Sequence, residues 1–440
     1  MRSHHVAIPA LLSVAGCAVA GCAGAAGARA HDAMVAELQS LERERPAQLV
    51  EDLALGTPAL DRATLVAAVL ARNPELDRAR ETWRAAAAAY PSAVAIADPM
   101  LTYEVAPFSI AGDVPFGQRV QVTQKLPYPG RLPLAGEAVL ADADAARADY
   151  GLVRLQLAEA AVDAFDDYYV AARARDVNAH HRGMLEQIQH SATAQYSVGH
   201  AAQQDPLEAE GELIALDRER LMLDAQAHAA AARINRLLRR RPDAPLPPPP
   251  DTLEIAAPSP GAGALDPRVA ATARIRARTA ELTAAELASY PDLEVMGSYD
   301  SMWGDWQHRI MVGIGIELPL SRGGRRGAVE RARAAVASAT AELTSVGDAL
   351  AEDRARARRE VDEATAALAL YEHRAVPNAR ARVDAALAGF TAGQAPLAMV
   401  MTAERALREV ELATERARAD LDRRIATLDR LAGRIAGGGR

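Results

Sequence analysis

Residues Trp306 to Arg326 read WQHRIMVGIGIELPLSRGGRR. From Ile310 to Leu318 every second residue is a large aliphatic: Ile310, Val312, Ile314, Ile316 and Leu318. Between them stand Arg309, Met311, Gly313, Gly315 and Glu317. Successive side chains of a strand point to opposite faces, so this is a strand with one apolar face and one small or polar face. At roughly ten residues it has the length a tilted strand needs to cross a bilayer. Pro319 and a Ser-Arg-Gly-Gly turn end it, and an Ala/Arg/Glu-rich segment then runs without proline to Pro377. A membrane-type strand feeding a very long helix is an unusual pairing, and the chain contains it twice.

The rest of the composition agrees with long helices. Hydrophobic residues make up 50% of the 440, but aromatics only 4%, so much of the apolar content is alanine. Such Ala-, Arg-, Glu- and Leu-rich sequences favour long packed helices. The net charge of -8 argues against a nucleic-acid partner.

The N-terminus, residues 1–22, reads as a secretory signal: Arg2, a short apolar run from Val6 to Val14, then small residues. Both cysteines lie here, each after Val-Ala-Gly. This resembles a bacterial lipobox, with Cys22 the favoured lipidated residue and Cys17 the second candidate. Ordinary cleavage after Ala28-Arg29-Ala30, or two incidental cysteines, are the other readings. No later stretch of 18 apolar residues predicts a membrane helix.

A polar leader (23–60) with one short helix follows. The first structural repeat spans 61–241. Asp61 is placed to cap a helix that reaches Tyr90 and is interrupted at Asn73-Pro74. Alternating residues on either side of a Pro/Gly/Asp loop predict a hairpin over 98–127. A helix over 132–196 would be roughly 95 Å long. Its heptad row Leu155, Val162, Tyr169, flanked by Ala158, Phe165 and Ala172, reads as a coiled-coil seam. A return helix spans 206–240. A Pro-rich linker occupies 242–266.

The second repeat, 267–435, runs through the same order: a helix, a hairpin (291–320), a long helix (325–390) with Pro377 kinking it near its far end, and a return helix (396–435). On that last helix Leu407, Leu421, Leu428 and Ile435 share one heptad position, with Thr414 the polar interruption. The halves align at their far turns. Tyr196-Ser-Val-Gly199 matches Phe390-Thr-Ala-Gly393, Ala209-Glu210 matches Ala403-Glu404, and Leu213 matches Leu407, all 194 positions apart. A repeat of this length predicts duplication of one helix–hairpin–helix–helix unit.

Four amphipathic strands cannot close a transmembrane barrel alone, and open edges are not tolerated in lipid. Several chains must therefore share one barrel if these strands enter a membrane. The residues Asn73-Pro74-Glu75-Leu76, Ala97-Asp98-Pro99-Met100-Leu101, Gln124-Lys125-Leu126-Pro127 with Pro129-Gly130-Arg131, Ile234-Asn235-Arg236-Leu237-Leu238, Glu317-Leu318-Pro319-Leu320 and the two glycine turns stand in the order of a known family. In them the chain resembles the TolC-like outer-membrane efflux proteins from about residue 60 to 433.

The resemblance implies a mostly α protein with a small β part. Long antiparallel helices would form a trimeric α-barrel in the periplasm, and two β-hairpins per chain would join a shared 12-stranded outer-membrane β-barrel. It also implies a homotrimer whose far turns, at Gly199 and Gly393, meet a periplasmic adaptor and an inner-membrane pump. The hairpin with Asp98-Pro99-Met100 looks most like the branch serving metal-cation and drug pumps.

Such channels often carry tip carboxylates six and nine residues after the turn glycine. Here the first half has Asp205 and Glu208 there, and the second half has Met399 and Thr402. A carboxylate ring that selects cations is one reading. Helix capping by the two acids is the other. Glu104, Arg119, Arg309 and Glu317 are candidates for the barrel lumen. Trp303 and Trp306 read as interfacial anchors or as loop residues. His180, His181, His190 and His200 match no compact metal site and read as surface histidines.

No nucleophile–base motif, phosphate loop or Cys/His cluster predicts an enzyme, a metal or a cofactor. Two alternatives stand beside the efflux duct. One is the outer-membrane component of a type I protein secretion system. The other is a periplasmic coiled-coil scaffold without a barrel, which leaves the alternating strands unexplained.

Overall fold

The structure is a computed structural model that describes residues 25–43, 59–106, 116–199, 201–255, 263, 265–303 and 309–436. Cys17, Cys22, His200, Trp306 and most of the first hairpin's loop lie outside them.

The described chain runs α1 (Ala25–Arg43), α2 (Arg62–Arg72), α3 (Pro74–Ala88), α4 (Tyr90–Ala93), β1 (Met100–Ala106), β2 (Gly117–Leu126), α5 (Arg131–Ser197) and α6 (Gln204–Leu237). It continues with α7 (Arg268–Leu287), β3 (Asp292–Asp300), β4 (Ile310–Glu317), α8 (Arg322–Leu370), a π turn (Tyr371–Ala375), α9 (Val376–Thr391) and α10 (Leu397–Leu431). The fold is mostly helical with one small sheet. Among the described residues no helix is long and apolar enough to cross a membrane.

Local chemistry sets the boundaries. Asp61 accepts from the Thr64 amide at 2.7 Å and so caps α2. Asn73 ends α2, and Pro74 opens α3, where its missing N–H costs no helical bond. The Asn73 side chain serves both sides of the break. It accepts from the Glu75 amide at 2.9 Å and donates to the Leu237 carbonyl at 3.4 Å.

At Pro377 the structure differs from a simple kink. The five-residue π turn just before it widens the ladder, with the Val376 amide reaching back to the Tyr371 carbonyl. This wider turn accommodates the proline ring and the hydrogen bond it cannot make.

Two compact units are present, and each draws on both halves of the sequence. The first holds the described parts of Met1–Glu44, Ala79–Asp149 and Pro267–Gly347, and with them the four strands. In it the helix expected in the leader is present. α1 is a full 19-residue helix that buries Met34 and Leu38. His31 stacks on Tyr90 at 5.1 Å, and Glu37 pairs with Arg147 at 2.8 Å.

The second unit holds the described parts of Arg45–Arg78, Tyr150–Asp266 and Asp348–Arg440. One of its cores gathers Leu65 and Val69 of α2, Leu157, Val162, Phe165 and Tyr169 of α5, and Ile234 of α6. The predicted seam residues Leu155, Val162 and Tyr169 are all buried, whereas Ala172 is only half-buried. Tyr169 sits in the seam because its hydroxyl finds the Glu415 carboxylate at 2.6 Å. A second core, Leu185, Ile188, Leu213, Phe390, Leu397 and Val400, lies under the far turns. Thr414, the polar member of the α10 row, is buried and satisfied by the Val410 carbonyl at 2.8 Å.

Candidate functional site

The sheet is antiparallel in the order β1-β2-β3-β4. Its register assigns each residue to a face. Leu101 pairs with Val122, Val122 with Gly297, and Gly297 with Val312. Leu126, Leu293 and Ile316 form a second row, and Tyr103, Val120, Tyr299 and Ile310 a third. Residues paired across a sheet share a face, so these rows make one face almost wholly apolar. That face is uncovered: Val312 is 80% exposed and Ile314 73%. An apolar area of this kind marks contact with lipid or with another chain.

The opposite face carries the charges. The Glu104–Arg119–Asp300 row crosses three strands. Arg119 donates to Asp300 at 2.8 Å and 3.1 Å and to Glu104 at 3.3 Å. Lys125 reaches Glu317 at 3.7 Å. Arg309 falls on the same face by alternation and holds the Trp303 carbonyl at 2.8 Å. Thus Glu104, Arg119, Arg309 and Glu317 share one face, away from the apolar rows. Among the described residues β1 and β4 each pair on one side only.

The far turns have the geometry that glycine supplies. Gly199 has φ +77° and Gly393 φ +70°. Each amide closes its turn at 3.0 Å, Gly199 onto Tyr196 and Gly393 onto Phe390. A Cβ at either position would meet nothing within 4 Å, so only the backbone conformation requires glycine. Gly393→Val is therefore expected to lower stability by about 1–2 kcal/mol through the left-handed φ alone, read as a lower melting temperature.

Near these turns Asp205 lies in the first turn of α6, where an acidic side chain suits the helix N-terminus, and accepts from the Ala202 amide at 3.3 Å. Glu208 is half-buried, and its charge acts on Arg405 of α10. Met399 is exposed, and Thr402 bonds its own helix at Ala398.

His180 and His190 are exposed, as read from the sequence. His181 is not: it is fully buried between Glu404 and Glu411 of α10. Among the described residues no group of three His, Cys, Asp or Glu is placed to hold a metal ion.

A second buried cluster had no mark in the sequence. Asp166 of α5 is completely buried, with both carboxylate oxygens lacking a hydrogen bond and Arg423 Nε at 3.7 Å. Beside it Asp422 is buried and paired with Arg62. Burial first, then the Asp422 charge, push the Asp166 pKa up to about 9. Folding therefore takes up a proton, and this group's contribution to stability falls as pH rises from about 4 to about 9. Asp166→Asn is expected to remove that slope, about 1.4 kcal/mol per pH unit at full effect. The variant should be clearly more stable than wild type at pH 8 and little different at pH 4, by denaturant melts at the two pH values.

Residues 268–434, nearly the whole second half, match the family model of the outer membrane efflux proteins. Three solved structures share the fold over most of the chain. The outer-membrane channel OprN is 22% identical and covers 88% of this chain and 96% of its own, with a TM-score of 0.71. CusC is 16% identical, covering 86% and 94%, with a TM-score of 0.72. The open-state MtrE outer membrane channel of Neisseria gonorrhoeae is 17% identical, covering 85% and 89%, with a TM-score of 0.69. No curated protein sequence matches the chain. The fold is that of the outer membrane efflux channels, and the resemblance read from the sequence is borne out.

Proposed function

We propose that this protein is the outer-membrane exit duct of a tripartite efflux system, open to metal cations or drugs delivered by an inner-membrane pump through a periplasmic adaptor. The observation that carries the reading is the two-faced sheet. An uncovered apolar face opposite a charge-bridged face suits a barrel wall between lipid and water. Its two half-paired edges cannot stand in lipid, so β4 of one copy pairs with β1 of the next. A barrel of twelve strands from three copies follows the family resemblance. The longest helices then line a periplasmic tunnel ending at the Gly199 and Gly393 turns, where the adaptor docks. Glu104, Arg119, Arg309 and Glu317 face the water-filled lumen. Asp205 and Glu208 belong to the tip, and Cys22, or else Cys17, carries the lipid anchor. The shared fold of OprN and MtrE, both named outer-membrane channels, supports this reading.

The test is conductance. Purified protein added to a planar lipid bilayer should give discrete ion-conducting steps. A protein that binds no bilayer and gives no steps under any condition contradicts the duct.

A further inference from the structure

His181 occupies a place its sequence neighbourhood does not announce. Its Nδ1 lies 2.8 Å from Glu404 Oε1 and its Nε2 3.1 Å from Glu411 Oε2. Both ring nitrogens thus face carboxylate oxygens. A neutral imidazole has one N–H and can serve only one of them, whereas the imidazolium serves both. The same helices carry apolar clusters near it in sequence, one with Leu185 and Val400 and another with Val383 and Leu407, and the His181 side chain is itself fully buried. Glu404 is itself fully buried, and its second oxygen has no hydrogen-bond partner among the described residues. A buried carboxylate of this kind depends on the cation beside it.

We propose that His181, Glu404 and Glu411 form an ionic clasp that ties α5 of the first repeat to α10 of the second beneath the far turns, and that its release by alkaline pH is a step in opening the duct. The gating part rests on the exit-duct reading; the clasp does not. Arg405, next to Glu404 on α10, also feels the Glu404 charge. Arg380 of α9 holds the other oxygen of Glu411 at 2.9 Å. Arg405 and Arg408 of α10 face Glu212 and Glu219 of α6. On α5 itself His180 stands edge-on to His181, while Arg182 is engaged by Asp217 and Glu186.

The sign follows. Burial lowers the His181 pKa, but the bonds to Glu404 and Glu411 outweigh it, leaving it above 6.5. The His181 bond, opposed by burial and aided by Arg380, holds Glu411 below its ordinary 4.5. The clasp is therefore complete between these two values. It is lost upward as His181 gives up its proton and downward as Glu411 gains one.

The experiment pairs two measurements on wild type, His181→Gln and Glu411→Gln in detergent or bilayer between pH 6 and 9. Amide hydrogen exchange in α5 around His181 and in α10 between Glu404 and Glu411, corrected for intrinsic rates, reads the clasp. Wild-type protection should fall by up to tenfold per pH unit above the His181 pKa. His181→Gln should be weakly protected at every pH, and Glu411→Gln should shift the fall to lower pH. Open probability in planar bilayers should rise over the same range in wild type and stay high and flat in His181→Gln. Exchange in His181→Gln identical to wild type at all pH values overturns the clasp. Exchange that changes as expected while open probability does not overturns its gating role. Exchange that changes in a protein giving no conductance at all refutes the duct and leaves the clasp.

Discussion

Ile314→Arg is expected to strip the protein from the outer-membrane fraction. Ile314 stands in the middle of β4, on the apolar face, paired with Val295 and largely uncovered in the single chain. An arginine near the bilayer midplane on the lipid side of a barrel costs about 2–4 kcal/mol per copy. In the proposed trimer three copies would each carry it, against a net stability for a domain of only about 5–15 kcal/mol. Glu317→Gln, one strand-end away on the charged face, breaks only the exposed pair with Lys125. It should leave the outer-membrane level unchanged, because such pairs contribute about 0–1 kcal/mol. Immunoblots of sucrose-gradient fractions compare the two. Equal losses in both would mean the faces have been assigned wrongly.

The second large effect lies in the helical part. Arg62→Ala removes the cation that neutralises Asp422, a carboxylate with only 4% of its side chain exposed. Removing one partner of a buried pair costs about 3–5 kcal/mol, because the other is left charged and unpaired. Asp166 adds no repulsion of its own, because burial first and the Asp422 charge second already keep its carboxyl protonated. The melting temperature should fall on the order of 10 °C. Adding Asp422→Asn to Arg62→Ala should recover much of the loss, since no buried charge is then stranded. A double variant as unstable as the single one would show that Arg62 acts through packing alone.

The strands were legible because their signal is local. Alternation from Ile310 to Ile316 needs only the two-residue period of a strand, and the structure keeps it in register with β3. The turn glycines were legible because a left-handed φ has few other occupants. Asn73-Pro74 and Asp61 announced a helix break and a helix cap for similarly local reasons.

What stayed hidden depends on partners far away in sequence. His181 finds Glu404 and Glu411 across more than 220 positions, and a histidine on an exposed-looking helix carries no sign of them. Asp166 follows Phe165, a seam residue, so it sits at the margin of the buried stripe. Only the arrival of α2 and α10 closes it off, with Arg62 and Asp422. The compact units were hidden for the same reason: each is assembled from both repeats, so sequence order does not delimit them.

The central claim is a barrel wall shared between copies of this chain. It is tested most directly by fractionating cells that make the protein, then cross-linking the detergent extract and counting chains. The account predicts an outer-membrane protein that cross-links to a trimer and no further. A soluble monomer in the periplasmic fraction would contradict it and leave the apolar face of the sheet without a role.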